Sequence, residues 1–512
     1  MKIPLIGGSY AARSIIANAQ RCVNYYPERN TKDALVPVTH YQRPGLRPLV
    51  QAAKPAPVRG LYRASNGKGF TVIGDTFYQI SGAENETSWT LVEKGTLVET
   101  GKTTPVSMVD NRTDLVLVDG SENGVYSLAL SDTSAKLKPY TDPNGLFTTA
   151  DKVDYIDTFV IWNIPGTQQF ASTLSNVLTT DALYFASKTD WVDSLVTLVV
   201  NRHVILLIGE QTTEPWYDAG AANFPFAELP GAFYEHGTVA KYSVATQDIS
   251  VYMLGQDKQG QGVVFRITGY ECKRISNHAL EYQLRQMAAA GATMTDAIGF
   301  CHQFDGHVFY VLTFPSGNQT WQWDESTQEW TQLAWTDGDG KLNRHRANCF
   351  SFIYGTGVVG DWENGTLYAL DPNVYTDTLV PGGAPGPVSY IRTFPHIGQG
   401  EVNLGSAGMN RPVESDGREM QFRQFMADIE CGLGPLEADG TPAKVILRFS
   451  ADRGRTFGNS ILQTTGTPGA YRTRPVWNQM GIGQDVVFEI EHSIAGPAAL
   501  NGAWVQAVVL NQ

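Results

Sequence analysis

"VVGDWENGTLYALD", Val358 to Asp371, decides the fold. Two apolar runs flank Asn364-Gly365, the dipeptide that most readily adopts a tight two-strand turn, so the stretch is predicted to be a β-hairpin. Six other stretches follow the same plan: "FTVIGDTFYQI" from Phe70, "DLVLVDGSENGVYSL" from Asp114, "DTFVIWNIPG" from Asp157, "RHVILLIGEQTTEPWYD" from Arg202, "ISVYMLGQDKQGQGVVFRI" from Ile249 and "GHVFYVLTFPSGNQTWQWD" from Gly306. The copies begin roughly every 45 to 55 residues, the length of one four-stranded propeller blade. A lone blade cannot bury both faces, whereas a ring of blades covers each face with a neighbour. The fold class expected is therefore all-β: a β-propeller of six to eight blades over about Val58 to Asn373. A pair of β-sandwiches has similar strand spacing and stays open as the alternative.

Outside the repeats, "YQRPGLRPLVQAAKPAPVRG" from Tyr41 reads as a Pro-rich extended connection, and "VPGGAPGPVS", Val380 to Ser389, as a linker. Beyond it, "REMQFRQFMADIEC", "KVILRFSADRGRTF", "QDVVFEIEHS" and "GAWVQAVVLNQ" alternate apolar and polar residues like antiparallel strands. The expected division is 1–57 as amino-terminal segment and lead-in, 58–379 as propeller platform, 380–389 as linker and 390–512 as a sandwich-like β domain. One helix is expected at Ala279 to Ala292, "ALEYQLRQMAAAGA", where apolar residues fall near helical spacing.

Composition agrees with many short strands: of 512 residues, 51 are Gly, 26 are Pro and only 17% are charged. The amino terminus lacks a signal-peptide apolar core, and no apolar run is long enough for a membrane anchor. The five cysteines (Cys22, Cys272, Cys301, Cys349 and Cys431) are widely spaced and read as buried free thiols. Net charge is −13, with basic clusters as short as "RHR", Arg344 to Arg346, which argues against tight DNA binding.

Chemistry is sparse. "SADRGRTF", Ser450 to Phe457, fits the Asp-box turn S-x-D-x-G-x-T-[WF] of sialidases and other propellers. Its residues Ser450, Asp452, Gly454, Thr456 and Phe457 are read as a structural turn: Asp452 bonds backbone N–H groups and Gly454 takes positive φ. Thr456 and Phe457 are expected to start the next strand with the ring inward. "CHQFDGH" brings Cys301, His302 and His307 close in sequence, but alternation sends the first two to opposite faces of a strand, and a fourth zinc donor is missing. "DGDGK" at Asp337 starts like a calcium loop yet lacks its closing Glu. No phosphate loop or nucleophile elbow occurs. No catalytic, cofactor or metal residue is therefore assigned.

"GSYAARSIIANAQRCVNYYPE" (Gly7 to Glu28), "RPGLRPL" (Arg43 to Leu49), and the stretch from "RISNHALEYQLRQM" through "GHVFYVLTFPSGNQTWQWD" (Arg274 to Asp324) carry more specific information. Together with the ending "SADRGRTF…GAYRTRPVWNQMG…DVVFEIE", they resemble the tail hub, or nozzle, proteins of short-tailed bacteriophages, also called packaged-DNA stabilisation proteins. The resemblance implies a virion protein made in the host bacterial cytoplasm, without enzyme activity or cofactor. It implies a homohexamer on the tail, in contact with portal-adaptor proteins, the tail needle and tail fibres or spikes. Viral DNA would pass through its channel without sequence-specific binding. The alternatives are a propeller glycosidase, sialidase-like or capsule-degrading, and a host receptor-binding tail protein.

Overall fold

The computed structural model describes residues 2–398 and 419–510, apart from 85, 190 and 222. Parts of the expected 390–512 domain, 399–418 and 511–512, thus lie outside the described residues.

Among the described residues, seven consecutive four-stranded antiparallel arrays form the blades of a propeller. Their innermost strands are Val58–Arg63, Ser107–Asp110, Val153–Ile156, Leu195–Asn201, Ala245–Gln247, Ile298–Phe304 and Ala347–Ile353, here blades 1 to 7. Alternation drives the closure, because successive side chains on a strand face opposite neighbours. In blade 3, Val160 and Trp162 join blade 2 in one buried cluster, while Ile161 joins blade 4 in the next. The last apolar joint is between blades 7 and 1, where Val358 and Leu367 meet Val58, Ile73 and Ile80. The deciding hairpin is the middle of blade 7: Thr356–Asp361 and Thr366–Asp371 pair across a turn with Gly365 at φ 74°.

The expected boundary at residue 58 is not where the sheets divide. Gly45–Gln51 is the outermost strand of blade 7, paired antiparallel with Thr366–Asp371, so the amino-terminal segment closes the ring. Pro48 is tolerated there because an outermost strand leaves one edge unpaired. The earlier residues serve a β-sandwich. One of its sheets runs Val476–Gly483, Met420–Ile429, Leu500–Val509, Val38–Gln42, Tyr25–Arg29, with Lys2–Pro4 also on Leu500–Val509. The facing sheet runs Cys22–Val23, Tyr390–Thr393, Val487–His492, Lys444–Ser450, Ile461–Thr464. Ile3, Leu5, Cys22 and Tyr25 lie in its core beside Phe425, Trp477 and Phe488, and so does Val388 of the expected linker. Local sequence shows that such residues are extended; it does not show which sheet they join.

The helix spans His278–Ala289, capped by Asn277, whose side chain accepts from the Leu280 N–H. Leu280, Leu284 and Met287 pack into the cluster between blades 5 and 6, so it lies on the ring. The free cysteines are less uniform than expected: Cys22, Cys301 and Cys431 are buried, Cys272 and Cys349 half-buried.

Propeller and sandwich meet at Arg43. Its five N–H groups are all used: Nε donates to Asn24 Oδ1 (3.0 Å), Nη1 to Pro44 O (2.9 Å) and Asp377 Oδ1 (3.1 Å), Nη2 to Ala334 O (3.3 Å) and Asp377 Oδ2 (2.6 Å). Both charged partners are fully buried. Asp377→Ala should therefore strand a buried cation and cost about 3–5 kcal/mol. The half-exposed pair Arg47–Asp371 provides the control, and Asp371→Ala should cost at most about 1 kcal/mol. Denaturant unfolding of both variants checks this; equal losses would contradict it.

Candidate functional site

The Asp-box turn is built as its residue types require. Asp452 Oδ1 accepts from Ser450 Oγ (2.8 Å), Arg455 N (3.1 Å) and Thr456 N (2.9 Å), and Oδ2 accepts from Thr456 Oγ1 (2.6 Å). Ser450 Oγ in turn accepts from Gly454 N at 2.8 Å. Donors from Thr456 and Ser450 hold the Asp452 carboxyl down at about 2. Gly454 has φ 85°, and a Cβ there would lie 2.9 Å from Ala19 Cβ and 3.4 Å from Ile15 Cγ2. The turn thus seats the amino-terminal loop. One expectation fails: the next strand starts only at Ile461, and Phe457 is half-buried. The five-bond cage around Asp452 keeps the chain curled through Thr456, which leaves no register for a strand at Phe457.

Other candidate residues are absorbed by structure. Cys301 packs in the cluster between blades 5 and 6, where burial raises its thiol pKa far above the ordinary value. His302 faces the other way, its ring 5.1 Å from Phe309 and 5.8 Å from Phe350, and burial lowers its pKa to about 4. His307 Nδ1 pairs with Asp324 Oδ2 at 2.9 Å and faces Glu28 at 3.7 Å, which raises its pKa. Asp337 spends its carboxylate on the turn, accepting from Asp339 N, Lys341 N and Asn343 Nδ2. Among the described residues no three His, Cys, Asp or Glu side chains group as metal ligands.

The open feature on the propeller axis is a cavity of about 550 Å³ where innermost strands begin. Thr104, Lys241, Tyr242, Asp296, Arg344 and Trp362 line it. Lys241 Nζ is bound to Asp151 at 2.6 Å, and the Arg344 guanidinium lies 4.1 Å from the Trp362 ring centre. Of the "RHR" cluster only Arg344 reaches this cavity: His345 is buried, and Arg346 is clamped by Asp361 and Glu363, both at 2.8 Å. A patch that looks basic in sequence is mostly an internal ion pair.

Sequence reasoning missed the buried cations. Arg392 reaches Gly8 O (3.2 Å), Arg21 O (3.1 Å), Gly7 O (3.1 Å) and Gln20 Oε1 (2.9 Å), tying the amino-terminal segment to the sandwich. Lys188 and Asp193 form another buried pair, in the loop between blades 3 and 4. Their partners lie far away in sequence or in other elements, and no local pattern marks them.

Two family models match the chain: "Bacteriophage P22 Gp10, beta-propeller" over residues 1–375 and "Bacteriophage P22 Gp10, beta-sandwich" over 410–508. No curated protein matches it. Similar solved structures include the extracellular domain of a protein described as a hybrid two component system from B. thetaiotaomicron, at 9% identity and TM-score 0.42, covering 76% of this chain and 45% of that one. The chain thus spans under half of that protein. YCF48 from Cyanidioschyzon merolae is 10% identical with TM-score 0.38, covering 64% of this chain and 99% of that one.

Two outcomes are expected. Asp452→Asn should lower the melting temperature at pH 7, since a carboxyl held at about 2 stabilises the fold at neutral pH. That contribution is complete above the ordinary carboxylate value of about 3.9 and disappears as pH falls through the folded value. Melting curves from pH 7 to 2 should converge for the two proteins; a constant gap would contradict the assignment. Chelation by EDTA should leave the melting temperature unchanged, and a drop restored by zinc or calcium would contradict the reading of "CHQFDGH" and "DGDGK".

Proposed function

Because the chain belongs to the bacteriophage P22 Gp10 family of phage tail structural proteins, we propose that it forms the tail nozzle. Six copies make a ring below the portal and adaptor, retain the packaged DNA and form the channel for its ejection. The observation that carries this is the family match across both halves of the chain, propeller and sandwich together. The ring is virion-bound, contacts the needle and fibres or spikes as well as the adaptor, and has no enzymatic role.

Physical constraints support a channel between copies. The axial cavity of about 550 Å³ equals a cube about 8 Å on a side, smaller than the major groove of a duplex alone, about 12 Å wide. A cavity this small favours a channel formed between several copies over one through a single propeller. A net charge of −13 suits a wall that lets phosphates slide, because few cations are available to displace counterions and hold them. The same charge opposes association of free subunits, so the adaptor acts as the template for the ring.

Light scattering on the purified chain should give a monomer, and quantitative mass spectrometry of intact particles should give six copies. Stable free hexamers, or another copy number, would overturn the proposal.

A further inference from the structure

Blade 3 carries an apolar projection that nothing else among the described residues covers. Its outermost strand, Thr180–Ser187, is a free sheet edge exposing Leu183 and Phe185. The loop that follows presents Trp191 and Val192, 53% and 89% exposed. This loop is held at its base. Lys188 Nζ donates to Asp193 Oδ1, Thr212 O and Thr212 Oγ1, and Asp193 Oδ2 accepts from Gln211 N and Thr212 N. Both side chains are buried, and a Cβ on Gly209 would come within 2.4 Å of both polar heads. A buried ion pair adds little net stability over apolar packing, but it fixes geometry. Here it fixes a tryptophan in solvent.

Elsewhere on the surface lies a hollow of about 430 Å³, lined by Arg13, Ser14, Ile15, Ile16 and Arg455. It is preformed: His396 bonds Ile15 O at 2.9 Å, and the Asp-box turn places Arg455. Among the described residues neither Arg13 nor Arg455 has a carboxylate within 4.0 Å. Two guanidinium groups and two isoleucines suit an indole, through cation–π attraction and apolar contact. Charge matches as well. At the base of the Trp191 loop, Glu210 is exposed beside Gln211, a carboxylate to set against the two guanidinium groups.

We propose that Trp191 of one copy seats between Arg13, Ile15, Ile16 and Arg455 of the next copy, an inference that rests on the ring reading above. The sandwich sheet beside the hollow joins blade 6, whereas the projection lies between blades 3 and 4 of a ring of seven, so projection and hollow lie on different sides of the ring. That is what a repeating head-to-tail contact requires. The Asp-box turn then has a role, which is to hold one wall of the contact.

The test uses particles carrying the full-length chain with a benzophenone amino acid in place of Val192. Illumination should link two copies of the chain, from residue 192 to a peptide containing 13–16 or 453–457. A link to another virion protein or another segment, or no link, would overturn the inference while leaving the nozzle reading intact. Absence of the unmodified chain from purified particles would overturn both. Trp191→Ala should leave the melting temperature of the free chain unchanged and weaken retention in particles about 30-fold, the loss typical of a buried interface tryptophan. Unchanged retention would contradict the contact.

Discussion

A fully buried arginine, Arg43, holds the two halves of this molecule in one arrangement. Its guanidinium gives two bonds to Asp377, which follows blade 7, and one each to Asn24 of the sandwich side and Ala334 of blade 6. The next residues have no freedom either. Gly45 N donates to Val374 O at 2.7 Å, and a Cβ on Gly45 would sit 2.5 Å from two carbonyl oxygens. The chain is thus pinned just where it leaves the sandwich and enters blade 7 as the closing strand. Loss of the pin would release the ring closure and the sandwich together.

The amino-terminal 51 residues are therefore used twice. Lys2–Pro4, Cys22–Val23, Tyr25–Arg29 and Val38–Gln42 join the two sheets of the sandwich, and Gly45–Gln51 completes the propeller. The sandwich sheet continues into the outer strand of blade 6 through Val23 and Gln332, which pair in parallel. Such sharing makes the propeller and sandwich mechanically one body, a useful property for the proposed DNA-retaining ring.

Much of this was legible in the sequence. Asn364-Gly365 between two apolar runs gave the hairpin, and the repeat of that plan gave the ring, because the signals are local: turn residues and period-two alternation. The Asp-box bonds to Asp452 were readable for the same reason. The rest depends on contacts that local pattern does not encode. Arg43 and Asp377 are 334 residues apart, so their pairing exists only once both halves are folded. Lys188 and Asp193 are close in sequence, yet ordinary in composition; their burial comes from Thr212 and Gly209 of the neighbouring blade 4. Phe457 is the converse case: the motif is local, but the strand after it begins only at Ile461 because the turn holds the chain curled through Thr456.

Side chains that might have signalled catalysis are spent on structure: His307 on Asp324, Asp337 on its own turn, Arg346 on Asp361. What remains distinctive is shape, a rigid acidic body with a narrow axial cavity. The most direct measurement is a reconstruction of the DNA-filled particle resolving individual blades. The expected map has duplex density running between six copies below the adaptor, with each propeller axis empty of DNA. Propellers arranged as peripheral trimers, or away from the duplex, would contradict the account.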